Sequence, residues 1–117
     1  KALFVACVQP ARKRIVIGFA ALSAVTNPSA GECELENMAV AEEWRRQGVG
    51  RRLLAAGVLW CRTWSSAATP DSGLWLEVRA SNRSAITFYE GAGFIVTGRR
   101  PAYYAHPVED AILMRKF

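Results

Sequence analysis

The chain has 117 residues, is 51% hydrophobic and carries a formal net charge of +5. That is enough apolar material for one domain with a real core, and no apolar run approaches the roughly 18 residues that cross a bilayer. No charged-then-apolar leader opens the chain, so the expected location is the cytoplasm.

Leu3–Val8 and Arg14–Val25 are rich in β-branched and apolar residues and predict the two strands of a hairpin. Pro10 and the run Arg12, Lys13, Arg14 between them read as a solvated turn. Asn27, Pro28, Ser29, Ala30 and Gly31 form a second turn cluster. Glu32–Val40 alternates in part and predicts a third strand, with Leu35, Asn37 and Ala39 on one face and Glu36, Met38 and Val40 on the other. Gly50–Ser65 places Leu53, Leu54, Val58, Cys61 and Trp64 on a stripe of period near 3.6, which predicts a helix. Ala67–Gly73 is a loop. Leu74–Arg79 alternates cleanly, with Leu74, Leu76 and Val78 opposite Trp75, Glu77 and Arg79. Asn82 is a good cap for a helix over Arg83–Gly91, which Gly91 and Gly93 stop. Phe94–Thr97 and Ala111–Phe117 predict two closing strands. The order β-β-β-α-β-α-β-β implies a mixed α/β (α+β) sheet, mostly antiparallel, with the third and fourth strands as a parallel pair joined by a right-handed crossover.

Arg45-Arg46-Gln47-Gly48-Val49-Gly50-Arg51 falls between a strand and a helix. Two glycines let the backbone approach a ligand closely. The free N–H groups of the first helical turn, with the positive end of the helix dipole behind them, suit an anion. Flanking arginines add charge-assisted hydrogen bonds, and the whole suits a pyrophosphate. A Walker loop would end in Gly-Lys-Ser/Thr, where this chain has Gly50-Arg51-Arg52. A dinucleotide fingerprint needs a third glycine where Leu53 stands. The plainer alternative is a glycine-rich helix start on a basic surface.

Cys7, Cys33 and Cys61 are odd in number, and His106 is the sole histidine. A Cys/His metal site has too few ligands, so no metal is expected, and the cysteines read as small buried apolar residues. The basic charge could attract nucleic acid, but no aromatic stripe interleaves with it, and direct nucleic-acid binding is not expected.

Arg45-x-x-Gly48-x-Gly50 resembles the cofactor motif of the GNAT superfamily of N-acetyltransferases. Leu76-Glu77-Val78-Arg79-Ala80-Ser81-Asn82, then Ala85-Ile86, Phe88-Tyr89 and Gly93-Phe94, resemble the branch that acetylates the N-terminal alanine of a ribosomal protein. Asn37-Met38-Ala39-Val40, Arg99-Arg100 and Tyr103-Tyr104 are similar to the same branch. The resemblance implies the GNAT fold and acetyl-CoA as cosubstrate. It implies that Met38, Ala39 and Val40 offer backbone groups to the acetyl and pantetheine arm, where two strands splay apart. It further implies that the loop from Arg45 through Arg46, Gln47, Gly48, Val49 and Gly50 to Arg51 holds the pyrophosphate. Asn82 would contact the cofactor, Glu77 would be the general base and Tyr89 the general acid. Members of the family usually begin with a strand and two helices, whereas Leu3 already lies in what resembles their second strand; the chain reads as a single, N-terminally truncated domain.

The residues themselves leave alternatives open. Glu77 on a strand beside a cleft could take an amine proton, or could be an exposed glutamate paired with Arg79 or another cation. Tyr89 lies seven residues after Asn82, about two helical turns on and on the same face, and its phenol could protonate a thiolate. It could equally be a core aromatic beside Ile86 and Phe88. A backbone N–H near Ala39–Val40 could polarise the acetyl carbonyl. No cysteine has a sequence-adjacent base, which favours direct attack in a ternary complex over an acetyl-cysteine. At pH 7 roughly 10% of an α-amine is neutral against roughly 0.04% of a lysine, so a modest carboxylate base suits an N-terminal amine better. Tyr103 and Tyr104 could shape the acceptor cleft or could be ordinary strand-edge aromatics. Three readings therefore stand beside the first: acetylation of a small molecule or lysine, a non-catalytic acyl-CoA-binding module, and a basic nucleic-acid binder.

Overall fold

A computed structural model describes residues 1–24, 33–64 and 73–116. The turn at Asn27–Gly31 and most of the loop at Ala67–Gly73 lie outside the described residues. Strands β1 (Ala2–Val8), β2 (Ile15–Ala24) and β3 (Cys33–Val40) are followed by helix α1 (Val49–Trp64). Then come β4 (Leu74–Arg79), α2 (Arg83–Gly91), β5 (Ile95–Tyr104) and β6 (Glu109–Lys116). The six strands form one sheet in the order β1-β2-β3-β4-β6-β5. Only β3 and β4 run parallel; the other neighbours are antiparallel. The mixed sheet and its parallel pair are as the sequence predicts.

The core lies between the helices and one face of the sheet. Ala20, Leu22, Leu35, Leu74, Leu76 and Met114 come from the sheet, and Leu53, Leu54, Cys61 and Ile86 from the helices. Leu53, Leu54 and Cys61 of the stripe that predicts α1 are buried, as the hydrophobic effect demands of an amphipathic helix. Removing a side chain such as Leu22, 1% exposed, costs about 2–5 kcal/mol in cores of this kind. No helix among the described residues is long and apolar enough to cross a membrane.

Two expectations fail. The first concerns β3. Leu22 pairs with Leu35 but Ala21 pairs with Asn37, so Glu36 is an extra residue in the ladder. This bulge resets the two-residue period. Leu35 is buried, and beyond the bulge Met38 and Val40, not Asn37 and Ala39, pack on the core. The second concerns β5, which continues well past Thr97 to Tyr104. Gly98 and Pro101 look like strand breakers. Both sit at register shifts, where the ladder does not need every N–H. The neighbouring β6 starts at Glu109, two residues before the predicted Ala111.

Candidate active site

The β3–β4 pairing consists of Cys33↔Leu74 and Glu34↔Trp75. Past that point β3 runs on to Val40 and β4 to Arg79 without register to each other. The sheet therefore opens into a gap, and backbone groups on the facing edges of both strands point into it. Met38, Ala39 and Val40 line the β3 edge, and Glu77 stands on the β4 edge.

The helix side of the gap holds the glycine loop. A 3-10 turn over Glu42–Trp44 leads into it. Arg46 has φ 63° and Gly48 φ 84°, so the chain folds back on itself before α1 begins at Val49. A side chain at Gly48 would meet nothing within 4 Å. Its requirement is conformational, and the space before it is free for a ligand. Gly50 answers a different need: a Cβ there would lie 3.0 Å from Phe88 and 3.8 Å from the end of Met38. The start of α1 is thus pressed against α2 and β3, at the head of the gap.

The side chains of the loop brace it. Arg45 Nε donates to the Val40 carbonyl at 2.9 Å, and Gln47 Nε2 donates to the Glu43 carbonyl at 3.1 Å. The Arg51 guanidinium lies against Gly91, at the C-terminal end of α2. It also lines a groove of about 360 Å³ between α1 and the residues after α2, with Leu54, Leu59, Phe94 and Lys116. The N–H groups of the first turn of α1 have no partners inside the helix and aim out of its N-terminus. Such a loop fits a pyrophosphate, with the main chain as the receptor and Arg46 among its exposed cations.

Asn82 caps α2 as predicted: its Oδ1 accepts the Ala85 N–H at 3.2 Å, and the Ser84 hydroxyl lies 3.3 Å from the same oxygen. Its amide NH₂ is the part that can turn to a ligand. Tyr89 packs edge-on between Phe88 and Phe94, with ring centroids 5.4 and 5.7 Å away. Burial pushes its phenol above the usual tyrosine value. At neutral pH it is a protonated hydroxyl, able to donate and unable to act as a base.

On the other face of the sheet, the Glu77 side chain is only 10% exposed. It is therefore not the exposed glutamate of the alternative reading, although it does pair with a cation. Arg100 Nε of β5 lies 3.5 Å from Glu77 Oε1. Arg79 instead binds Glu109 at 3.3 Å, donates to the carbonyls of Pro107 and Ala105, and stacks over Tyr104 at 4.5 Å. The Tyr103 hydroxyl hydrogen-bonds to the Glu77 carboxylate, which raises the tyrosine's pKa, and the glutamate's charge adds to the rise. Burial and then the Glu77 charge push Tyr104 up.

Both tyrosines reach this place because β5 leaves its register between Arg100 and Tyr104. Ala102 has φ 50°, its N–H donates to Asp110 Oδ1 at 2.8 Å, and Arg99 Nε donates to Asp110 Oδ2 at 2.6 Å. One carboxylate on β6 thus holds the excursion. Sequence reasoning assigned no role to Arg100, Asp110 or Glu34. Arg100 and Asp110 act across 23 and 8 residues of chain, beyond the reach of a local pattern.

Cys33 and Cys61 are buried, as expected, but Cys7 is exposed. The small-apolar-core reading fails for Cys7 because it lies on β1, the edge strand of the sheet. Burial, and then the neighbouring Cys61, push the Cys33 thiol up to about 12. It is no nucleophile at neutral pH. Among the described residues no group of three or more His, Cys, Asp or Glu could hold a metal ion.

Residues 1–96 match the family model described as acetyltransferase (GNAT) domain. The [ribosomal protein bS18]-alanine N-acetyltransferase of Salmonella typhimurium is 41% identical over 93 residues, covering 78% of this chain and 60% of that protein. The crystal structure of the Escherichia coli ribosomal-protein-S18-alanine N-acetyltransferase superposes with TM-score 0.68 at 37% identity, covering 86% of this chain and 61% of that one. A candidate streptothricin acetyltransferase of Bacillus anthracis str. Ames, solved in complex with acetyl coenzyme A, superposes with TM-score 0.74 at 29% identity, covering 86% and 55%. The chain thus spans less than two thirds of the length of these relatives.

Proposed function

The chain belongs to the GNAT acetyltransferase family, and from that premise we propose that it moves an acetyl group from acetyl-CoA to a primary amine, by direct attack within a ternary complex. The observation that carries the reading is the gap between β3 and β4. It joins an anion-binding helix start on one side of the sheet to a nearly buried carboxylate on the other. A long thin cosubstrate with a diphosphate at one end and a thioester at the other matches that layout. The gain from holding two reactants in line is on the order of 7–11 kcal/mol.

The main-chain amides from Gln47 to Gly50 would hold the diphosphate, with Arg46 and Arg51 supplying positive charge and Arg45 bracing the loop against β3. Free backbone groups of Met38 and Ala39 would align the pantetheine arm, and an N–H at Ala39 or Val40 would polarise the carbonyl of the acetyl thioester. The Val40 carbonyl is already engaged by Arg45. Glu77 takes the amine proton, directly or through one water, and Arg100 and Tyr103 hold its carboxylate toward the opening. Tyr89, kept protonated by burial, returns a proton to the departing sulfur. Asn82 contacts the cosubstrate from the head of α2.

The acceptor we infer is an α-amine, the N-terminal alanine of a ribosomal protein, acetylated in the cytoplasm. The likeness to the Salmonella enzyme supports this, as does the acidity of such an amine. The backbone likeness to the streptothricin enzyme supports a second reading, a small-molecule amine at the same site. Calorimetry with acetyl-CoA tests the common premise: saturable binding is expected, and its absence overturns both readings. Turnover on an alanine-starting peptide, an internal-lysine peptide and streptothricin then separates them. The proposal expects the first to be the best acceptor.

A further inference from the structure

Glu34 is a carboxylate that the mechanism above does not use. It sits opposite Trp75 in the last paired position before β3 and β4 part. It lies on the strand face opposite buried Cys33 and Leu35, and Glu77 lies on the face opposite Leu76 and Val78. Both carboxylates therefore stand on the same side of the sheet, at the mouth of the gap. Sheet geometry sets such diagonal neighbours about 7–8 Å apart, and the parting of the strands widens that. That spacing lets each carboxylate meet a cation of its own.

The charges acting on Glu34 are Glu77 and Glu36 of like sign, and Arg100 and Lys1 of opposite sign. Lys1 lies 3.5 Å from Glu36, and Arg100 lies 3.5 Å from Glu77. Among the described residues Glu34 has no hydrogen bond or ion pair of its own. The two cations that act on Glu34 are thus each engaged by another carboxylate, Glu36 or Glu77. Half-burial, followed by the like charge of Glu77, raises the Glu34 pKa; the charge of an incoming cation would act against both.

We propose that Glu34 sets acceptor specificity, pairing with Glu77 to select an amine that carries a second positive charge a few atoms from the reacting nitrogen. The reacting amine goes to Glu77 and the second cation to Glu34. This rests on Glu77 being the acceptor-side base. It adds a preference that the base alone does not impose, since Glu77 needs only one amine.

The test compares the dipeptide amides Ala-Lys and Ala-norleucine, alike in length and differing in one charge. The wild-type chain should show a KM about tenfold lower for the lysine peptide, the size of one partly screened ion pair. Glu34→Gln should abolish that difference while kcat changes by less than about twofold, and Glu34→Asp should keep it. Equal KM values in the wild type, or a preference that survives Glu34→Gln, overturns the inference and leaves acetyl transfer standing. If neither peptide is acetylated, the acceptor reading itself fails. NMR titration of the same peptides into the chain with coenzyme A then decides: tighter lysine-peptide binding lost in Glu34→Gln supports the receptor, and equal binding refutes it.

Discussion

The two sides of the β3–β4 gap are built from different materials. The side formed by the start of α1 is written in backbone: a left-handed glycine, a helix N-terminus and a close approach of Gly50 to Phe88 and Met38. The side formed by β5 and β6 is written in charge. Asp110 holds the Ala102 amide and Arg99, Glu109 holds Arg79 and the Ser81 amide, and Arg100 reaches Glu77. Backbone receptors need no titration and tolerate salt, and they suit a ligand that never changes. Side-chain ties adapt easily, and they suit the side that must distinguish acceptors.

The largest effect expected on this division comes from Glu77→Gln. It should lower turnover by about 10²–10⁴-fold, with acetyl-CoA affinity within about twofold of the parent, by stopped-flow and calorimetry. An equal loss in both would show that the two sides are not separate. Tyr89→Phe should slow the chemical step by at least about tenfold in single-turnover experiments, with binding intact; a parental rate would remove it as the acid. Gly48→Val acts in the opposite sense. Forcing φ 84° on a β-branched residue costs at least about 1–2 kcal/mol, so affinity for acetyl-CoA should fall about tenfold or more. The stability loss should be no larger than that strain, since a Cβ there meets open space.

The smallest effect sharpens the comparison through pH. Asp110 lies below its ordinary value of 3.8, held there first by the Ala102 N–H and then by Arg99. Glu109 lies below 4.5, held first by Ser81. A depressed carboxylate contributes stability that is present above its ordinary value and is lost as pH falls through its folded value. Below pH 4, hydrogen-exchange protection of residues 99–104 should therefore fall before that of residues 52–60. Equal loss would mean that β5 is held by something other than these charges. Tyr89 contributes at the opposite end. Its raised pKa gives stability that is complete below about pH 10 and is lost as pH rises through the folded value.

The same division explains what could be read from the chain. The glycine loop, the Asn82 cap and the α1 stripe are local features, set by residues within one or two turns of each other, and the structure forms them where the spacing predicts. Glu77 was legible because clean alternation over Leu74–Arg79 puts it opposite three buried residues. The Glu36 bulge was not, because a period-two pattern carries no mark of where the partner strand slips. The excursion of β5 was hidden by Gly98 and Pro101, which look like the end of a strand. Its anchor, Asp110, declares itself only once β6 lies alongside.

The account rests on the diphosphate of acetyl-CoA sitting at the helix start while its thioester threads between β3 and β4. The direct measurement is an amide NMR titration with coenzyme A. The largest shifts should fall on Gly48, Val49 and Gly50, with a second group at Met38 and Ala39. Shifts confined to α1 around Leu59 and Arg62, or no saturable shifts at all, would contradict it.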